Sequence, residues 1–311
     1  MAKVKSFDGE VDRIRGVLAP MREALQPVMQ MLHVASEDAV LPDDETLQRE
    51  EARLEAEIVE RRMAETTLAR LAYEMSRQIA RRKAEFEERE EPGRADRLIG
   101  LFSRSMMQRR LEARASSPSL LLHLEELLRR GDLLAGMIRE ERELLVMERR
   151  RTESCLVTFI DHRPEMIQAL KGETGEAMTT LEATRRVQRI LAAFEGFVGE
   201  INHRIGTCNV LLHKISADME DVLILYQVVF EASRRDGSEP LAVERFPSLQ
   251  QETDRFMRGM LTIHGLNGRR ERADAVFAAH FPGVVPAEPP VPTVQPSRRR
   301  WGLPRLRPAR S

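Results

Sequence analysis

The segment INHRIGTCNVLLHKISADMEDVLILYQVVF, residues 201–230, decides the fold. It continues a pattern that starts near Leu181, in which apolar side chains recur every three or four positions as far as Phe230. This period predicts one helix within residues 176–235, about fifty residues and roughly 80 Å long. Because a helix of this length is not stable alone in water, other helices must cover its apolar stripe.

The end of this segment, VLILYQVVF at 222–230, is apolar around the whole helix circumference. One neighbouring helix cannot bury such a surface, so we expect a third helix or a second subunit to pack there. The predicted helix-interface residues are Val222, Leu225, Val229 and Phe230.

Proline divides the rest of the chain, because a helix interior excludes it. Eight of the sixteen prolines lie in the last thirty residues, and long intervals elsewhere contain none. The intervals predict two further long helices, and the remaining pattern predicts three shorter ones. They are the long helices at about 44–90 and 118–160, the short helices at about 248–264 and 269–281, and an amphipathic helix from Val17 to Leu32.

Local details refine this prediction. Arg61 and Arg82 interrupt the apolar seam of the first long helix, which favours packing in a bundle over a parallel zipper. Gly131 and Gly136 weaken the second long helix and allow a kink. The second and third long helices are expected to fold back on each other across a turn at 161–176.

The predicted fold is all-α, an elongated bundle of long antiparallel coiled-coil-like helices. Aromatic residues make up 5% of the chain and charged residues 32%, which suits narrow helical packing better than a thick globular core. We divide the chain into an N-terminal helical segment (1–42), the bundle (43–281) and a disordered, Pro/Arg-rich C-terminal tail (282–311).

The charges are distributed unevenly. Six arginines and one glutamate give the tail a net charge of +5, and since the whole chain carries −1, the remainder carries −6.

Two cysteines cannot form a disulfide framework and fit a reducing cytoplasm. The N-terminus lacks the apolar region of a secretory signal, and no stretch reaches the roughly 20 apolar residues of a membrane span.

Within 203–213, His203, Cys208 and His213 stand five residues apart and are the nearest approach to a metal signature. Five residues turn a helix by about 140° net, so the three side chains diverge and do not share a ligand. We predict a buried Cys208, with the two histidines at the surface or flank. Asn202, Asn209 and Ser216, seven apart, either fix helix register or form a polar rim. We predict no catalytic, cofactor or metal site.

Two segments are candidates for contact with an anionic surface. Arg97 to Met106 is either an interfacial helix or packs into the bundle. In the tail, arginines surround an indole that suits the lipid headgroup zone, and the same residues suit nucleic acid phosphates; a solubilising tail without further function is the third alternative. The candidate contact residues are Arg298, Arg299, Arg300, Trp301, Arg305 and Arg307.

The basic, apolar segment Arg97–Arg110, the helical hairpin beginning at Leu120 and the long helix from Leu181 to Phe230 together resemble the bacterial toxic-anion (tellurite) resistance family. The resemblance implies a cytoplasmic helical protein with a role in stress response. The family's last helix usually carries a Pro-Gln-Ile-Arg run and an Ile-Pro-x-Trp run. Here the matching positions are Ile201–Ile205 and Leu223–Tyr226, without the proline or the tryptophan, and no functional residue transfers.

The leading functional hypothesis is a non-enzymatic, cytoplasmic scaffold or adaptor that binds protein partners and forms a homo-oligomer through its helices. The first alternative is a stress-response protein at the inner face of the membrane, recruited by the basic tail. The second alternative is a nucleic-acid-binding protein.

Overall fold

The protein is an all-α helical bundle in the computed structural model, which describes residues 7–23, 25–38, 40–90, 118–173, 179–233 and 266–285 with scattered positions in 93–110 and 246–251. The three long helices are 47, 44 and 54 residues long. The helices are α1 (Phe7–Glu23), α2 (Gln26–Glu37), α3 (Asp44–Glu90), α4 (Pro118–Asp161), α5 (Arg163–Glu173), α6 (Thr180–Ser233) and α7 (Leu266–His280).

Pairs of side chains fix the directions of the helices. Phe159 of α4 meets Phe194 of α6 edge to face at 5.7 Å between ring centroids, while Tyr226 of α6 donates to Glu125 of α4 at 3.3 Å. Numbers that rise in α4 fall in α6, so these two helices are antiparallel. α3 is parallel to α6, because Asp44 pairs with Arg189 and Ser76 pairs with Asp218.

The remaining helices cover the bundle. α1 and α2 follow α4 in the same direction, from an ion pair of Asp8 with Arg129 to a hydrogen bond that His162 donates to the carbonyl of Ser36. In chain order, the direction of the main helices therefore alternates: α1, α2 and α4 run one way, and α3 and α6 run the other way. α7 packs antiparallel against the second half of α6, where Thr207 lies 2.9 Å from His280 and Glu220 lies 2.7 Å from Arg269.

Capping residues explain where two long helices begin. The carboxylate of Asp43 accepts the Thr46 N–H at 2.7 Å at the start of α3, and this bond lowers the pKa of Asp43. At the start of α6, the Thr179 N–H donates to Glu182 and the Glu182 N–H donates to Thr179, a reciprocal capping box.

The structure corrects two local predictions. The single helix Val17–Leu32 is wrong: α1 ends at Glu23 and α2 begins at Gln26, since Pro27 has no N–H for the continuing helix. The predicted turn at 161–176 contains α5. α4 continues as one helix through Gly131 and Gly136, where the sequence allows a kink.

The two glycines instead allow close approach. A Cβ at Gly131 would lie 2.7 Å from Met219 Cγ of α6, and one at Gly136 would lie 2.9 Å from Ser248 Oγ. Of the predicted helix 248–264, only 248, 250 and 251 are described, and all three are helical. The tail 282–311 lies outside the described residues after 285.

Candidate functional site

Arg61 of α3, predicted as an interruption of the apolar seam, lies in the interior of the bundle with 2% of its surface exposed. Its Nε is 3.1 Å from Glu65 Oε1, and its Nη2 pairs with Glu200 of α6. A buried guanidinium is costly unless carboxylates compensate it, and these two carboxylates do so. Arg61 of α3 therefore links α3 to α6 through its ion pair with Glu200.

Arg204 of α6 lies beside this pair and is 4% exposed. Its Nε and Nη1 are buried and have no hydrogen-bond partner among the described residues. Burial lowers the pKa of Arg204, and the like charge of Arg61 lowers it further, while nearby glutamates oppose both effects. Burial also raises the pKa of Glu65. The interior thus holds charge that its own hydrogen bonds do not fully satisfy.

Both arginines line a cavity of about 400 Å³ between α3 and α6, which we call the α3–α6 cavity. Its apolar walls include Leu25, Leu54, Ile58 and Phe197. Its other charged residues are Glu51, Glu55, Glu57 and Glu200. A cavity with apolar walls and a few convergent charged groups is the usual form of a small-molecule site.

A second buried charge cluster lies further along α6. Lys214 is 4% exposed, and its Nζ lies 2.7 Å from Asp218 Oδ1 and 2.6 Å from Asp274 Oδ1 of α7. Ser76 of α3 donates to the other oxygen of Asp218. Burial raises the pKa of Asp218, while Lys214 and Ser76 act in the opposite direction. This cluster joins α3, α6 and α7, and its groups satisfy one another, so we assign it a structural role.

A groove of about 430 Å³ lies where the α1–α2 junction meets α4. Leu144, Met147, Glu148 and Arg151 line it from α4, and Glu23, Leu25 and Gln26 line it from the junction. Leu144 is 37% exposed and Met147 is 58% exposed, so apolar surface on this face remains uncovered. A fifth α4 residue, Leu145, also lines the groove but is otherwise buried, and we call the other four the α4 seam.

The structure places the predicted sites as follows. Cys208 is buried while His203 and His213 are exposed, which confirms the predicted divergence, and the ring of His203 stacks on His280 at 5.7 Å. Among the described residues, no group of three His, Cys, Asp or Glu side chains is arranged to hold a metal ion.

The polar positions on α6 differ in burial: Asn202 is exposed and Ser216 is buried, so the two do not form one polar rim.

The predicted interface residues are buried or half-buried within the bundle of this chain. Val222 and Val229 are fully buried, Phe230 is 9% exposed and Leu225 is half-buried. The apolar surplus at 222–230 is therefore largely covered by the chain's own helices, and a second subunit is not required to cover it.

The tail residues Arg298, Arg299, Arg300, Trp301, Arg305 and Arg307 lie outside the described residues, as do Leu98, Leu101 and Phe102 of the Arg97–Met106 segment. Contact of either segment with an anionic surface stays a prediction. Across the part of the chain that the structure describes, no helix contains a stretch that is long and apolar enough to cross a membrane.

Neither the α3–α6 cavity nor the α4 seam could be recognised as a site from the sequence. Arg61 interrupts the apolar pattern, but Arg204 and Arg151 occur among many other arginines. Only the assembled helices show that Arg204 is buried and that the exposed Arg151 lines a groove. Comparison with family models, with curated proteins and with solved structures finds no match for this chain. The resemblance to the tellurite resistance family stays a prediction.

Proposed function

We propose that the protein is a non-enzymatic helical scaffold that associates with a second copy of itself through the α4 seam. The supporting observation is that Leu144 and Met147 remain exposed beside an open groove, on a helix whose other apolar face is already buried against α6. The seam residues stand at i, i+3, i+4 and i+7, the spacing with which helices pack side by side.

Charge favours a second copy as the occupant. The groove carries two acids, Glu23 and Glu148, and one base, Arg151. In a two-fold contact each surface meets itself, so in an antiparallel pairing Arg151 of one copy lies within one helical turn of Glu148 of the other.

The expected association is weak. Burial of the exposed parts of Leu144 and Met147 contributes about 1 kcal/mol per side chain, or about 4 kcal/mol over two copies, before the entropic cost of association. Such a dimer depends on protein concentration, which suits a scaffold whose assembly follows local crowding.

Sedimentation velocity over a wide concentration range tests the proposal. We expect the intact chain to show a concentration-dependent dimer and the variant Leu144→Glu/Met147→Glu to remain monomeric. The control is Val157→Glu/Ile160→Glu, two exposed apolar residues about 130° to 170° around α4 from the seam. Monomeric behaviour of the intact chain at every concentration, or equal dissociation of both variants, would refute the proposal.

A further inference from the structure

We propose that the α3–α6 cavity binds a small molecule with a carboxylate at one end and an ammonium group at the other, joined by an apolar chain. The inference does not rest on the self-association proposed above, because no residue of the α4 seam lines the cavity; the cavity and the groove beside the seam share only Leu25. It depends on the residues of the cavity wall and on their order along α3 and α6.

The carboxylate end is assigned to Arg204. Its buried Nε and Nη1 atoms lack a hydrogen-bond partner among the described residues, although the side chain lines a cavity. A buried charged donor without a partner is unfavourable, and a carboxylate is the planar acceptor that matches a guanidinium. A doubly charged phosphate is a poorer fit, because Glu65, Glu141 and Glu200 also act on Arg204.

The ammonium end is assigned to glutamates near the start of α3. Glu51 and Glu55 line the same cavity, and neither forms an ion pair with a described residue. At 1.5 Å per residue, Glu55 lies about 9 Å and Glu51 about 15 Å before Arg61 along the axis of α3. Because α6 runs parallel to α3, Arg204 is at the Arg61 end, where the cavity wall carries two arginines and Glu200, whereas the other end carries only glutamates.

The wall between these ends is mainly apolar, with Glu57 as its charged residue. Leu54 and Ile58 of α3, Phe197 of α6 and Leu25 from the α1–α2 junction line it. A cavity of about 400 Å³ holds a chain of several methylene groups with room for water at the charged ends. The three parts together select a zwitterion with separated charges over a simple anion or a simple amine.

Isothermal titration calorimetry with three matched probes tests the assignment. The probes are 8-aminooctanoate, which carries both charges, octanoate, which lacks the ammonium group, and octylamine, which lacks the carboxylate. We expect the intact chain to bind 8-aminooctanoate at least about tenfold more tightly than either single-charge probe. No binding of 8-aminooctanoate, or equal binding of all three probes, overturns the proposal.

Two variants assign the ends. Arg204→Met should weaken 8-aminooctanoate and octanoate by about tenfold or more and leave octylamine unchanged, whereas Glu55→Gln should weaken 8-aminooctanoate and octylamine and leave octanoate unchanged. The matched controls are Arg62→Met and Glu60→Gln, exposed positions of α3 outside the cavity wall.

Circular dichroism confirms that each variant is folded before titration. If Arg204→Met does not fold, the exposed Glu55→Gln variant and the probe ranking of the intact chain still decide the matter. Loss of 8-aminooctanoate binding in a control variant, or its retention in both cavity variants, overturns the assignment.

Discussion

Replacement of Lys214 by methionine should destabilise the bundle more than any exposed charge substitution. The ammonium group of Lys214 is the partner of Asp218, which is 1% exposed, and methionine retains much of the apolar stem while it removes the charge. Asp218 would then keep Ser76 as a hydrogen-bond donor but would have no buried cation. Loss of one partner from a buried ion pair costs about 3–5 kcal/mol in free energy of unfolding.

The pH dependence of this loss has a definite sign. Burial raises the pKa of Asp218 in the folded state, and removal of Lys214 raises it further, because Lys214 favours the ionised form. Between the unfolded pKa of about 3.9 and the raised folded pKa, the folded state binds the proton more tightly, so stability increases as pH falls. The deficit of the variant should therefore be largest near neutral pH and smaller at about pH 5.

Urea unfolding followed by circular dichroism at the two pH values measures both effects. The double variant Lys214→Met/Asp218→Asn should recover most of the lost stability, because no buried charge then remains at this pair. Arg49→Met removes one partner of an exposed pair, in which Arg49 is 66% and Glu45 is 85% exposed, and should cost less than about 1 kcal/mol. A cost for Lys214→Met as small as that of Arg49→Met, or a deficit that does not change with pH, would refute this reasoning.

Three further experiments give separate tests: a pair of glycine substitutions, thiol labelling and a deletion of the tail. Gly131→Val should destabilise by about 1–3 kcal/mol because Met219 occupies the space, whereas Gly199→Ala, with no atom near its Cβ, should stabilise α6 by about 0.5–1 kcal/mol; thermal unfolding compares them. Burial raises the pKa of the Cys208 thiol to about 12, so a thiol reagent at neutral pH should modify the half-buried Cys155 first and Cys208 only as the protein unfolds. Deletion of 297–311 should abolish any salt-sensitive flotation with anionic vesicles; unchanged flotation would exclude the tail as the anchor.

The long helices could be predicted from the sequence because apolar periodicity and proline are local signals. The prediction of 44–90 matches Asp44–Glu90, that of 118–160 ends one residue early, and that of 176–235 extends a few residues beyond Thr180–Ser233. Pro27 is an equally local signal, because proline is favoured in the first turn of a helix and is excluded from a helix interior. It marks the start of α2 directly after Leu25, and the prediction of one helix from Val17 to Leu32 missed this start.

The candidate sites could not be predicted in this way, because they depend on which helices become neighbours. Lys214 and Asp218 stand four residues apart and have the spacing of a solvated surface pair. Their burial results from the approach of α3 and α7, whose partners lie 142 and about 60 residues away along the chain. The same reason separates Arg204 from the many exposed arginines, and it makes Gly131 a contact position when its local signal indicates a kink.

The alternating directions of α1–α2, α3, α4 and α6 also have a consequence for synthesis. α1, α2 and α3 leave the ribosome before α4 and α6 exist, although residues such as Met29 and Ser36 contact Thr152 and His162 more than 120 positions later. At translation rates of about 5–20 residues per second, the nascent N-terminal third waits several seconds for its covering partners. During that interval its apolar stripe is open to chaperones, and the antiparallel pair of α4 and α6 provides the template on which it finally docks.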